Sequence, residues 1–209
     1  MDLTRQFAHE LQAPLLSLEL QLQRLLEHVP DRELAQSCLD EVEALKRLVS
    51  QTLELATPAL ELHPLDLAPV IERLAQRFRP IAEARGVVLS MSTHPVSCFA
   101  DASATERILS NLIDNAIKFS ESNGRVDLII RTSDDSVELE VRDEGVGIAE
   151  DARERIFEPF YRVNRELTGA GLGLAISRRL AQAQHGTLRP QSGTDRGSAF
   201  VLTLPATPA

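Results

Sequence analysis

Apolar residues at the start of the chain fall on one helical stripe: Leu11, Leu15, Leu18, Leu22, Leu25 and Val29 recur at spacings of four and three. This is a heptad seam, the pattern by which one helix packs along another. Val29-Pro30-Asp31 interrupts it, and Asp31 is placed to cap a second helix. The same period resumes through Cys38, Val42, Leu45, Val49 and Ala56, so a helical hairpin is predicted over residues 1–57. Leu16, Leu26, Leu48 and Leu55 widen the stripe beyond what one partner helix covers. A second copy of the chain is expected to cover the surplus, giving a four-helix bundle and a homodimer.

The period changes after Thr57-Pro58, and residues 58–209 are expected to form a second domain. Leu60–Leu62 reads as a short strand, and Asp66–Arg85 as a helix closed by Gly86, with Pro80 expected to kink it. A strand over Val87–Ser92 and a helix over Ala102–Phe119 follow. Arg125–Thr132 and Ser136–Arg142 alternate apolar and polar residues on either side of Asp134-Asp135, which predicts a hairpin. Gly171–Gln184 reads as a helix ended by His185-Gly186, and Thr187–Gln191 and Ala199–Leu204 as closing strands. Hairpin-linked strands interleaved with helices predict an α+β sandwich with its helices on one face of the sheet.

A net charge of −9 argues against a nucleic-acid surface, which would need a basic stripe. The same charge repels a nucleotide, so any phosphate site here calls for backbone N–H donors and a divalent cation. Cys38 and Cys98 have no ligand-like spacing and read as buried thiols of a reducing compartment. No stretch reaches the apolar length of a membrane span and no leader is evident, so a cytoplasmic segment without membrane contact is expected.

Four short segments carry candidate chemistry. Asn111 and Asn115 lie one helical turn apart, and their amide oxygens suit a hard cation such as Mg²⁺ without adding charge. Lys118 lies near the same face, where its ammonium could meet phosphate. Asp143 closes a strand and precedes Gly145, Gly147 and Ile148; its carboxylate could accept from the exocyclic amine of a base, with the glycines allowing close backbone approach. Gly169, Gly171, Leu172 and Gly173 open an apolar helix whose first N–H groups make an anion site. The stretch from Ala149 to Ala170 is long enough for a mobile lid, with Phe157 and Phe160 as anchors and Arg162 as a phosphate-facing cation.

In this order and spacing the segments resemble the ATP-site boxes of the sensor histidine kinases, whose catalytic domain is of the Bergerat type. Phe7-Ala-His9-Glu10-Leu-Gln-Ala13-Pro14 resembles their phosphoacceptor box, and Gly197-Ser198-Ala-Phe200 their last strand motif. The resemblance covers essentially the whole chain. It implies a transmitter core that uses ATP and Mg²⁺ to phosphorylate His9 and passes the phosphoryl group to an aspartate on the receiver domain of a response regulator. By the same likeness Asn115 holds Mg²⁺, Asp143 the adenine amine, Phe119 lines the base or ribose, and Ser198 sits near the adenine. Glu10 is expected to accept from the second ring nitrogen of His9 and fix its tautomer.

Two rival readings share the fold: an ATP-hydrolysing clamp and a degenerate dimeric scaffold. The clamps carry a water-activating glutamate four residues before the metal asparagine, and here that position is Asn111. An intact Asn115, Asp143, Gly171 and Gly173 argue against the scaffold. Departures from the family pattern bear on finer properties. Ala13 stands where relatives carry a polar residue that positions water, which implies weak phosphatase activity toward the receiver. Phe119 and Ala170 replace the commoner tyrosine and hydroxyl residue. The short run before His9 leads us to expect a piece of a longer, membrane-anchored sensor.

Overall fold

The computed structural model describes residues 60–91, 95–163, 171–191 and 197–207, together with Asp40 and Val42. The chain divides into two compact units, Met1–Pro58 and Ala59–Ala209. Asp40 and Val42 are helical. The rest of the predicted hairpin, with His9 and Glu10, lies outside the described residues, as do Cys38 and Gly169.

In the second unit the elements run β1 (His63–Asp66), α1 (Leu67–Ala84), β2 (Val88–Met91), β3 (Ser97–Ala100), α2 (Ala102–Phe119), β4 (Arg125–Thr132), β5 (Ser136–Asp143), α3 (Gly173–Ala183), β6 (Thr187–Pro190) and β7 (Ala199–Pro205). Two single 3₁₀ turns, Glu150–Ala152 and Arg155–Phe157, lie between β5 and α3. The main sheet has the order β2-β4-β5-β7-β6, parallel between β2 and β4 and antiparallel elsewhere. β1 and β3 form a separate antiparallel pair. This is the expected α+β arrangement.

Three amphipathic helices supply one layer of the core. Leu67, Ile71 and Leu74 of α1, Ile108, Leu109, Leu112, Ile113 and Ile117 of α2, and Ile176 and Leu180 of α3 are buried. They face Val126 and Leu128 of β4, Leu139 and Val141 of β5, and Leu202 and Leu204 of β7, which are also buried. The register sets Asp143 opposite Val126 and Leu128 opposite Val141, so alternation places Asp143 on this same helix-facing side. A carboxylate on the core side of a sheet is the first structural sign of a site. On the opposite face Glu140 is wholly buried beneath the guanidinium groups of Arg131 and Arg142. Burial alone would raise its pKa, but those two cations outweigh it and hold the carboxyl below its ordinary range.

Two short strands correct the sequence expectations. The first strand is His63–Asp66, not Leu60–Leu62, because its ladder is set by pairing His63 with Ala100 and Asp66 with Ser97. β3 has no counterpart in the sequence reading; its four residues pair only outside the main sheet. Pro80 lies within α1 without ending it. It and Gln76, whose carbonyl loses a donor, both face solvent, where water can satisfy the oxygen. α3 ends before His185-Gly186, as expected, and His185 takes the left-handed conformation there, with φ of 58°. Gly186 is a glycine for a different reason: a Cβ there would collide with the carbonyl of Thr203 on β7. Cys98 is a buried thiol, as expected, and burial pushes its pKa up to about 11. Among the described residues, no helix is long and apolar enough to cross a membrane.

Candidate nucleotide site

The site is built around α2. Asp101 caps that helix by accepting from Ala104 N at 2.9 Å, which fixes where its first turn begins. Its apolar face is consumed by the core, and its polar residues Asn111, Asp114, Asn115 and Lys118 are left half-buried along one edge. Phe119, at the last turn, is 38% exposed.

The turn after β5 packs against the end of α2. Asp143 is 4% exposed, and its Oδ1 accepts from Gly145 N at 2.9 Å and from Ser198 N at 3.1 Å. The backbone of Asp143 donates in turn to Ser198 O at 2.8 Å, so β5 and the start of β7 clasp each other at the carboxylate. Both donors use Oδ1; Oδ2 takes no hydrogen bond from a described residue. Burial lifts the Asp143 carboxyl above its ordinary value, against the lowering effect of the two N–H donors. A buried carboxylate whose second oxygen is uncommitted is an acceptor waiting for a donor.

Glycines permit these approaches. A Cβ on Gly145 would collide with Phe119 O, and one on Gly197, where φ is 78°, with Asp143 O. Gly147, with φ of 75°, lies against Gly197 O, and Ile148 beside it is half-buried. The Gly145 requirement therefore comes from the end of α2, whereas the sequence reading ascribed it to a ligand. Replacing Gly145 by Ala is expected to destabilise the unit by about 2–3 kcal/mol through overpacking, measurable as a lower denaturant midpoint with an unchanged m-value.

At the opposite end of the polar edge, α2 meets the start of α3. Asn111 Nδ2 donates to Ser177 Oγ at 3.0 Å, and Asn111 Oδ1 occupies the space that a Cβ on Gly173 would fill. α1 and α2 each have an aspartate cap, but α3 has none: Leu172, 1% exposed, stands at its N-cap, and among the described residues no side chain bonds the first-turn N–H groups. Asn115 makes no hydrogen bond with any described residue. Lys118 is engaged, its Nζ lying 2.7 Å from Asp114 Oδ2, so the expected phosphate cation begins as half of an ion pair.

The segment expected to be a lid is anchored in its first half. Ala152, Ile156 and Phe157 are buried; Phe157 meets Phe200 edge-on at 6.3 Å, and Arg178 lies 4.7 Å above its ring. Phe157 is thus an anchor, but Phe160 is 60% exposed and is held by its backbone, whose N–H donates to Gly171 O at 2.9 Å. Arg162 is half-buried beside Gly171, whose φ of 71° turns the chain toward α3. Sequence reasoning missed Ser177 and Arg178; a serine and an arginine on a helix carry no signal until their partners Asn111 and Phe157 are known.

From Phe119, beside the Asp143 turn, to Asn111, beside the α3 start, is eight residues, or about 12 Å of helix. That is the reach of a nucleoside triphosphate from base to terminal phosphates. Among the described residues no cluster of three or more His, Cys, Asp and Glu could hold a metal. The donors present fit Mg²⁺ in another way, because that ion takes one or two protein oxygens and completes its shell with phosphate and water.

The signature of the histidine kinase-, DNA gyrase B-, and HSP90-like ATPases matches residues 100–208. The chain is similar to the sensor histidine kinase RppB of a Synechocystis strain, at 34% identity over 97% of this chain and 48% of the relative. It is likewise similar to the signal transduction histidine-protein kinase/phosphatase MprB of Mycobacterium avium, at 31% identity over 96% of this chain and 42% of that protein. It spans less than half the length of either relative. Among solved structures, full-length ShkA in complex with AMPPNP superposes with a TM-score of 0.85 at 29% identity, covering 99% of this chain and 46% of that one.

Proposed function

The chain belongs to the histidine kinase-, DNA gyrase B-, and HSP90-like ATPase family, and from that membership we propose that it is the transmitter core of a two-component protein-histidine kinase. In this reading ATP lies along α2, with its base at Asp143 and its phosphates at the first turn of α3. The observation that carries the reading is the pair of uncommitted groups at the two ends of one helix edge: the second carboxylate oxygen of Asp143, without a donor among the described residues, and the α3 amides, without a side-chain cap. Sensor histidine kinase relatives and the likeness to a structure holding an ATP analogue support it.

Each residue then has a role. Asp143 Oδ2 accepts from the exocyclic amine of adenine, while Oδ1 stays held by Gly145 and Ser198. Phe119 and Ile148 flank the base. Asn115, the amide left uncommitted, holds Mg²⁺, which supplies charge neutralisation at the phosphates. Lys118 leaves Asp114 for phosphate, an exchange of one half-buried ion pair for a stronger one. Gly171, Leu172 and Gly173 present backbone N–H groups, and Arg162 lies at the lid base. A neutral imidazole nitrogen of His9 forms the N–P bond, the bond from the γ-phosphorus to the bridging oxygen breaks, and ADP leaves. Glu10 accepts from the other ring N–H and stabilises the charge that develops. A receiver aspartate then takes the phosphoryl group, and the heptad seam of residues 1–57 joins two copies.

Asn111 disfavours hydrolysis as the end point. An amide cannot abstract a proton from water, and its Nδ2 already bonds Ser177. The chain incubated with γ-labelled ATP and Mg²⁺ is expected to acquire label that is lost in acid, kept in alkali and absent with EDTA. Absence of any Mg²⁺-dependent ATP binding by calorimetry would overturn the reading in favour of a scaffold.

A further inference from the structure

We propose that Ser177, on the inner face of α3, is a positioning residue that sets the phosphate-binding turn by holding Asn111. This inference rests on the ATP-site reading above. An α-helix with a side-chain cap has its first turn located by that cap. α3 has none, so something else must fix its first turn relative to α2.

Asn111 is what grips it, at two points one turn apart. Its Oδ1 sits over Gly173, the first residue of α3, in the space a Cβ would take. Its Nδ2 donates to Ser177 Oγ at 3.0 Å, and Ser177 is only 2% exposed. Residues 173 and 177 are stacked on one face of the helix. The serine hydroxyl therefore fixes the rotation of the amide, and the amide fixes the distance at which Gly173 and its neighbouring N–H groups stand from the α2 edge. Without the hydroxyl, Nδ2 loses its partner on α3, which drives the amide to swing away and releases the turn. Ser177 touches no nucleotide in this scheme; its effect is carried entirely by Asn111.

The expected signature is selective for phosphate. Adenosine binds at the Asp143 end, about 12 Å along α2, and does not use the α3 turn. In the full chain, Ser177→Ala is expected to weaken ATP and ADP binding with Mg²⁺ about five- to tenfold, the scale of one lost buried hydrogen bond. Adenosine affinity, followed by NMR titration, stays within about twofold, well below that same hydrogen-bond scale. Ser177→Thr and Ser177→Val have the same shape and separate the hydroxyl from its volume: Thr retains ATP affinity and Val loses it as Ala does. Equal ATP affinity in all four proteins, equal loss in Thr and Val, or a parallel loss of adenosine overturns the proposal. A wild-type chain that binds adenosine but no ATP, or neither, overturns instead the reading on which it rests.

Discussion

Replacing Asp143 by Asn is expected to cost about 100-fold or more in ATP affinity while leaving the fold as stable as before, or more so. The affinity term follows from the geometry at the end of β5. The amide oxygen can take the place of Oδ1 and keep the Gly145 and Ser198 N–H donors. The NH₂ group then stands where Oδ2 stood and points a donor at the donor of the base. A lost hydrogen bond to a charged acceptor and an opposed pair together amount to about 3 kcal/mol, or roughly a hundredfold. The stability term has the opposite sign for a reason visible in the charge. Burial raises the folded-state pKa of Asp143 above its ordinary 3.8. The stability this group contributes is therefore full below the unfolded-state pKa and is lost as pH rises through the raised folded value. At neutral pH the wild-type protein carries that cost, and Asn, which has no charge to desolvate, does not. Isothermal calorimetry and thermal melting at neutral pH read the two terms separately. A variant that melts far below wild type would assign Asp143 to the fold, and one that retains ATP would remove it from base recognition.

The chemistry of Asp143 also shows what the sequence could and could not disclose. Its place at a strand end before two glycines was legible, because alternation along β5 and the glycine spacing are local properties. The same holds for α2, whose apolar period lies between Asp101, a capping residue, and the polar turn that starts at Ser120. What stayed hidden is every feature made by two distant segments. β3 is four residues long and exists as a strand only because His63–Asp66 lies beside it. Gly145 reads as room for a ligand and Gly173 as the opening of an anion-binding helix, yet the first yields to the Phe119 carbonyl and the second to the Asn111 amide. Lys118 read as a phosphate ligand because a helical wheel shows direction and not partners; Asp114, one turn earlier, claims it in the folded chain. The long stretch after Ile148 read as a lid by length alone, but Ile156 and Phe157 are core residues spaced too irregularly to show any period.

His9→Gln is expected to abolish label incorporation from γ-labelled ATP while leaving ATP affinity within about twofold of wild type, less than one net hydrogen bond is worth. The two halves of this expectation have different physical sources. Glutamine approximates the size of histidine, but its amide nitrogen has no basic lone pair, since that pair is delocalised into the carbonyl, so no N–P bond can form at position 9. Affinity, by contrast, is assigned to Asn115, Asp143, Ser198 and the α3 turn, all within Ala59–Ala209. A variant that binds Mg²⁺-ATP and carries no label places the acceptor at His9 and leaves the nucleotide site to the second unit. Label that persists in the variant with acid lability moves the acceptor to another histidine, of which the chain has four more, at 28, 63, 94 and 185. Label that persists but resists acid is no phosphoramidate and moves the chemistry to a hydroxyl. Joint loss of label and ATP affinity would mean that the nucleotide site extends beyond the second unit, and that Asp143 and the α3 turn do not hold ATP by themselves.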